Sequence, residues 1–194
     1  MIEMNKQVTE VIFLLDRSGS MAGLEADTIG GFNAFIEKQN KLPGQTKLTV
    51  VLFDHEYELL WDGIDATEAI LTDEDYYVRG TTALLDAIGK TIVDVKRRLK
   101  EEGNQAKVIF VITTDGMENS SQEFTRSQVK ELIEHQSQHH NWNFIFMGAN
   151  MDAIQEAGYL GINKQNAYEF EVSNKGIMIM YENIHEAIID QYEK

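Results

Sequence analysis

The chain contains no cysteine, which excludes a disulfide framework, a thiolate metal site and a cysteine nucleophile. It has a single proline, Pro43, and no low-complexity tract, internal repeat or interdomain linker. No apolar run approaches the ~20 residues of a membrane span. Residues 1–10 carry Glu3, Lys6 and Glu10 rather than the apolar core of a signal peptide. A cytoplasmic protein without a membrane partner is the expectation. Positive charge is scarce: Lys plus Arg number 17 against 32 Asp plus Glu, a net charge of −15. The excess is spread over both halves of the chain. Such a surface repels phosphate backbones, so nucleic acid is not an expected partner. Cations, or proteins with basic patches, fit better.

What is present is enough for a core. The 194 residues are 43% hydrophobic, which suits one folded domain over residues 1–194. Four apolar runs, Val11 to Leu15, Leu48 to Phe53, Val108 to Ile112 and Phe144 to Met147, are continuous rather than alternating, as parallel strands covered on both faces are. Glu56 to Trp61 follows the second run after a short Asp54-His55 turn and reads as an antiparallel edge strand. Ala167 to Val172 is a weaker sixth strand. Between the strands lie helical patterns. Ile29, Phe32, Phe35 and Ile36 mark one apolar face; Leu84, Leu85, Ile88, Ile92, Val95 and Leu99 mark a longer one. Val129, Leu132 and Ile133 mark a third, and Ile177, Met180, Ile184 and Ile188 a C-terminal helix. This alternation predicts an α/β fold: a doubly wound, mostly parallel six-stranded sheet with one antiparallel edge strand and helices on both faces.

Ligands of such sheets bind beyond the carboxyl ends of the strands, where strand order reverses. The first strand ends in Asp16-Arg17-Ser18-Gly19-Ser20, and the strand after the long helix ends in Thr113-Thr114-Asp115-Gly116. Arg79-Gly80-Thr81-Thr82 opens the long helix. Every candidate ligand in these loops is an oxygen, which selects a hard cation, Mg²⁺ with Mn²⁺ or Ca²⁺ as alternatives, over zinc or copper. In Asp16-x-Ser18-x-Ser20 the two-residue step turns alternate side chains the same way. With only two carboxylates, the site keeps electrophilic character and can take an anionic ligand at a vacant position.

These strings resemble the metal-ion-dependent adhesion site of von Willebrand factor type A domains. That pattern has Asp-x-Ser-x-Ser after the first strand, a Thr in a Gly-rich loop, and an Asp after a later apolar strand. Asp16, Ser18, Ser20 and Asp115 match directly. Gly80-Thr81-Thr82-Ala83-Leu84 supplies Thr82, with Thr81 in the place of a second glycine and as the alternative ligand. Phe146-Met147-Gly148-Ala149-Asn150 is similar to stand-alone prokaryotic members. The resemblance implies a metal site of Asp16, Ser18, Ser20, Thr82 and Asp115. It implies a binding module, not an enzyme, that recognises an Asp or Glu of a partner protein, with the C-terminal helix, roughly Gly176 to Tyr192, able to respond.

The competing reading is a Mg²⁺-dependent phosphoester hydrolase using Asp16. It lacks a second Asp two residues on, where Ser18 stands, and its only nearby bases are His55 and Glu118. Other features read as structural. His135, His139 and His140 form a solvated helix end. Gly89-Lys90-Thr91 falls inside a helix and is no phosphate loop. Lys96, Arg97, Arg98 and Lys100 make a solvated basic face. Asn150 and Asp152 cap the following helix. Tyr57 and Trp61 pack on the edge strand. Asn119-Ser120-Ser121 fits a glycosylation acceptor, against the expected compartment.

Overall fold

The computed structural model describes residues 8–103 and 106–192. Residues 1–7, with Glu3 and Lys6, lie outside that range. In chain order the elements are β1 (Val8–Asp16), α1 (Glu25–Gln39), β2 (Gln45–Phe53), β3 (Tyr57–Asp65), α2 (Leu84–Glu101), β4 (Lys107–Thr114), α3 (Arg126–His140), β5 (Asn143–Gly148), α4 (Ala153–Tyr159), β6 (Ala167–Glu169) and α5 (Asn174–Tyr192). They form one six-stranded sheet in the order β3-β2-β1-β4-β5-β6. Only the β2–β3 pair is antiparallel.

The continuous apolar runs are explained by burial on both faces. In β1, Val11, Phe13 and Leu15 face one core with α1 and α5. Ile12 and Leu14 face the other, with α2, α3 and α4. The first core is built on aromatics: the Phe13 ring meets Phe32 edge-on at 5.5 Å and stacks with Tyr181 at 6.0 Å. In the second, α2 lies close to the segment before α3. A Cβ on Gly89 would sit 2.4 Å from the Phe124 ring, so only glycine fits there.

Two strands differ in length from the sequence pattern. The edge strand runs on to Asp65, because its pairing with β2 continues through register shifts around Val50. The sixth strand stops at Glu169: the Phe170 N–H still reaches the Gly148 carbonyl, then Ser173 turns the chain and its hydroxyl accepts from Gly176 N–H at the start of α5. Among the described residues no helix is long and apolar enough to cross a membrane.

The basic face of α2 needs one correction. Arg98 is not solvated. It flanks the apolar stripe of Val95 and Leu99, and its side chain, 14% exposed, turns across the end of the sheet. Its guanidinium donates to the fully buried Glu10 carboxylate at 2.6 Å and to the Thr49 hydroxyl at 3.1 Å, and lies 2.7 Å from Asp62. A carboxylate buried at that depth needs a fixed counter-charge. Removing one partner of a buried pair costs about 3–5 kcal/mol, and Arg98→Ala should lose that much stability. Arg97 makes only an exposed pair with Asp94, and Arg97→Ala should change stability by under ~0.5 kcal/mol. Urea unfolding of the two variants checks this, and equal losses would contradict the anchoring role of Arg98.

Candidate functional site

Strand order reverses at β1 and β4. The chain leaves β1 toward β2 on one side, while β4, β5 and β6 lie on the other. The crevice past the carboxyl ends of β1 and β4 is therefore the expected ligand position. Asp16 ends β1 and Asp115 follows β4, both 2% exposed. The sequence-predicted residues converge there. Ser20 Oγ donates to Asp115 Oδ1 at 2.7 Å, and the Ser18 and Ser20 hydroxyls are 3.3 Å apart. Asp16 Oδ1 accepts from Ser18 N–H at 2.7 Å, and its Oδ2 accepts from the Thr114 hydroxyl at 2.8 Å.

Thr82 faces this cluster and Thr81 does not. Thr82 is 3% exposed, and its Oγ1 lies 3.1 Å from the point a Cβ on Gly116 would occupy, a point 3.8 Å from Ser20 Oγ. Thr81 is exposed and bonds the Ser120 hydroxyl. Two backbone bonds hold the first two loops together, Gly19 N–H to the Gly80 carbonyl at 3.0 Å and Arg79 N–H to the Arg17 carbonyl at 2.9 Å. Gly80 takes a positive φ of 69° and lies under His55, whose Nδ1 would be 2.1 Å from a Cβ. A side chain there would strain the backbone and displace the His55 ring.

Several residues that hold the site lie outside the five-residue ligand pattern. Asn119 clamps Thr82 from both sides, accepting its N–H at 3.0 Å and donating its own N–H to the Thr82 carbonyl. Glu118 accepts from Leu85 N–H at the start of α2, and from Ser120 N–H and both the N–H and hydroxyl of Ser121. The buried Tyr76 hydroxyl donates to the Asp16 carbonyl at 2.7 Å. Arg17, a spacer in the motif, is wholly buried. It pairs with Asp54 at 3.1 Å and Glu58 at 2.6 Å, and Arg79 meets the same Asp54 oxygen at 2.7 Å. Burial would raise the Asp54 carboxyl. The Glu56 N–H and the two guanidiniums outweigh it and hold the carboxyl below its ordinary range. Asn150 does not cap α4. It adopts a φ of 56° and reaches the Asp115 carbonyl at 3.4 Å, while Asp152 is the cap.

The bases that a hydrolase would need are poorly placed. Both Glu118 oxygens are committed to the hydrogen bonds just described. His55 stands half-exposed over Gly80, beside Asp54 and Glu56. Among the described residues no group of three or more His, Cys, Asp or Glu side chains is placed to hold a metal. That includes His135, His139 and His140, which stand exposed at the end of α3. A cation at the crevice would have to draw on hydroxyls beside its two carboxylates. The crevice fits that requirement: Asp115 Oδ2 is buried without a hydrogen-bond partner, a lone carboxylate oxygen of the kind a hard cation satisfies.

The chain belongs to the von Willebrand factor type A domain family, which it matches over residues 9–157. Domains of this family are commonly metal-dependent protein-interaction modules and mostly not enzymes. Among solved structures it is similar to proximal thread matrix protein 1 from the mussel byssus with a zinc-occupied MIDAS motif (TM-score 0.70, 14% identity, 94% of this chain and 46% of that one). It is also similar to the manganese-loaded TRAP protein of Plasmodium vivax (TM-score 0.61, 18% identity, 90% and 72%). A third similar structure is the ArnB paralog VWA2 from Sulfolobus acidocaldarius (TM-score 0.61, 16% identity, 89% and 44%). The chain spans less than half the length of the mussel and Sulfolobus chains. A search of curated proteins found no match.

Without a cation the crevice is electrostatically costly. Burial, and to a lesser degree the charge of Asp115, raise the Asp16 carboxyl to about 6 despite hydrogen bonds from Ser18 and Thr114. Burial likewise raises Asp115. The folded chain then keeps a proton on Asp16 between pH ~4 and ~6 that the unfolded chain has released. Its contribution to stability falls as pH rises through that window and reaches a cost on the order of 3 kcal/mol at pH 7. In chelator, Asp16→Asn should be more stable than the parent at pH 7 by up to ~3 kcal/mol, with the difference shrinking toward pH 4. Urea titrations at several pH values check this; a variant less stable at pH 7 would contradict it.

Proposed function

We propose that this chain is a cation-dependent protein-binding module with an intact metal-ion-dependent adhesion site, of the stand-alone prokaryotic type. Asp16, Ser18, Ser20, Thr82 and Asp115 hold Mg²⁺, with Mn²⁺ or Ca²⁺ able to replace it, and the partner protein presents an Asp or Glu. The observation that supports this best is the unpartnered, buried Asp115 Oδ2 beside a cluster of hydroxyls. A bound divalent cation supplies an electrophilic centre there. The protein side chains set how electrophilic it stays. Ser18 N–H and the Thr114 hydroxyl each draw on one Asp16 oxygen, which reduces the charge that Asp16 can donate. The hydroxyls of Ser18, Ser20 and Thr82 add none. A partner carboxylate is the natural completing ligand for a hard cation so held. The cytoplasm is the compartment we assign, and protein, not nucleic acid or membrane, is the partner class.

The hydrolase reading loses to this one because Glu118 is occupied as a loop and helix cap and no second acid stands where Ser18 does. Calorimetric titration should find one Mg²⁺ site per chain. Thr82→Ala should weaken it at least ~10-fold, a lower bound set by what outer-shell changes cost, while Thr81→Ala leaves it within about twofold. A partner retained on the immobilised chain in Mg²⁺ should be released by chelator, and changing its contact acid to the amide should abolish retention. An amide that binds as well as the acid, or Mg²⁺ affinity untouched by Thr82→Ala, would overturn the assignment.

A further inference from the structure

At the opposite end of the sheet of this acidic chain, positive charge lines a cavity. The cavity has a volume of about 1300 Å³ and lies at the amino ends of β4 and β5, below the last turns of α2 and α3. Lys96, Lys100, Lys107, His139 and His140 line it. No Asp or Glu does so among the described residues, although the chain has 32. Lys96 and Lys100 sit four apart on the same face of α2, and neither has an ion-pair partner among the described residues. The other lysines nearby behave differently: Lys47 is paired with Glu102 and Lys107 lies over the Tyr192 ring.

The plain explanation is that cations collect at helix C-termini. Each helix end supplies about half an elementary negative charge. The ends of α2 and α3 together offset roughly one charge, against the two lysines, Lys96 and Lys100, that lack an ion-pair partner among the described residues. Crowding is visible across the two helices. The His135 ring lies 4.7 Å from that of His139 and 5.6 Å from that of His140, and Lys96 on α2 repels it. Surplus like charge held at one place is stabilised by a bound anion. The walls behind the charges are apolar, with Leu99, Val108, Trp142, Phe144 and Ile162, and Asn141, Asn143 and Asn163 add amide groups. The volume exceeds that of most small-molecule pockets, ~300–1000 Å³, so a lone phosphate would not fill it.

We infer that this cleft binds a phosphate-bearing small molecule of nucleotide size, its phosphates on Lys96 and Lys100 and its uncharged part against the apolar wall. This site is independent of the metal crevice, which lies past the carboxyl ends of the same strands. The test uses the intact chain in excess chelator, so that a cation at the crevice cannot contribute. Inorganic triphosphate, ATP and adenosine are titrated separately by calorimetry. ATP should bind most tightly, triphosphate measurably and adenosine not detectably. The double variant Lys96→Ala, Lys100→Ala changes two exposed side chains and should weaken ATP at least tenfold. Arg97→Ala removes the same kind of charge from the neighbouring face and should leave affinity within twofold. Absence of binding by both ATP and triphosphate, or equal weakening by Arg97→Ala, would overturn the inference. ATP binding unchanged in the double variant would do the same.

Discussion

The site hangs on one buried carboxylate. Asp54 ends up with no exposed surface at the turn between β2 and β3, and four contacts converge on it. Its Oδ2 accepts from Arg17 and Arg79, its Oδ1 from Glu56 N–H, and its carbonyl from Ala83 N–H. Arg17 lies inside the Asp-x-Ser-x-Ser loop, and Arg79 and Ala83 flank the Gly80–Thr82 loop. Two of the three loops that form the crevice are thus fixed to a third point that touches no ligand. The Tyr77 ring lies within 5.5 Å of both guanidiniums and covers them from outside. Rigid support of this kind fixes the loops that carry Ser18, Ser20 and Thr82 before anything binds.

The cost is concentrated on the other two carboxylates. Asp16 and Asp115 are taken out of water, which raises both carboxyls, and the charge of Asp115 raises Asp16 further; hydroxyls rather than guanidiniums stand beside them. Arg17, next to Asp16 in the chain, is paired instead with Asp54 and Glu58. The arrangement separates two jobs. Cation-carboxylate pairs do the structural work underneath, and unneutralised acid is kept for the crevice. The same division recurs at the other end of the sheet, where Arg98 settles the buried Glu10 and Lys96 and Lys100 have no ion-pair partner among the described residues.

Much of the fold was legible because burial on both faces leaves a local mark. Val11 to Leu15 could not alternate when Phe13 packs on α1 and Leu14 on α2. Asp16, Ser18 and Ser20 were legible as a string, but extended alternation does not orient them: residues 19–21 form a 3₁₀ turn, and that turn sets the place of Ser20. Thr82 was legible only as one of two neighbouring threonines, because its helix-opening loop has no period to choose between them. The residues that hold these in place left no trace. Asn119 meets Thr82 from 37 residues away, Glu118 meets Leu85 from 33, and Tyr76 meets Asp16 from 60. Asp54 read as a turn because its partners are brought to it only by the sheet. Arg98 read as solvated because helical periodicity places it at the edge of the apolar stripe, and only the buried Glu10 across the sheet decides which way it turns.

The central claim is that a divalent cation binds where Asp115 Oδ2 lacks a partner. Anomalous diffraction from crystals soaked in Mn²⁺ tests it most directly. The account predicts one strong peak enclosed by Asp16, Ser18, Ser20, Thr82 and Asp115, with the Thr81 side chain turned away. A crevice without a peak at saturating Mn²⁺, or a peak only at His135 and His139, would contradict it.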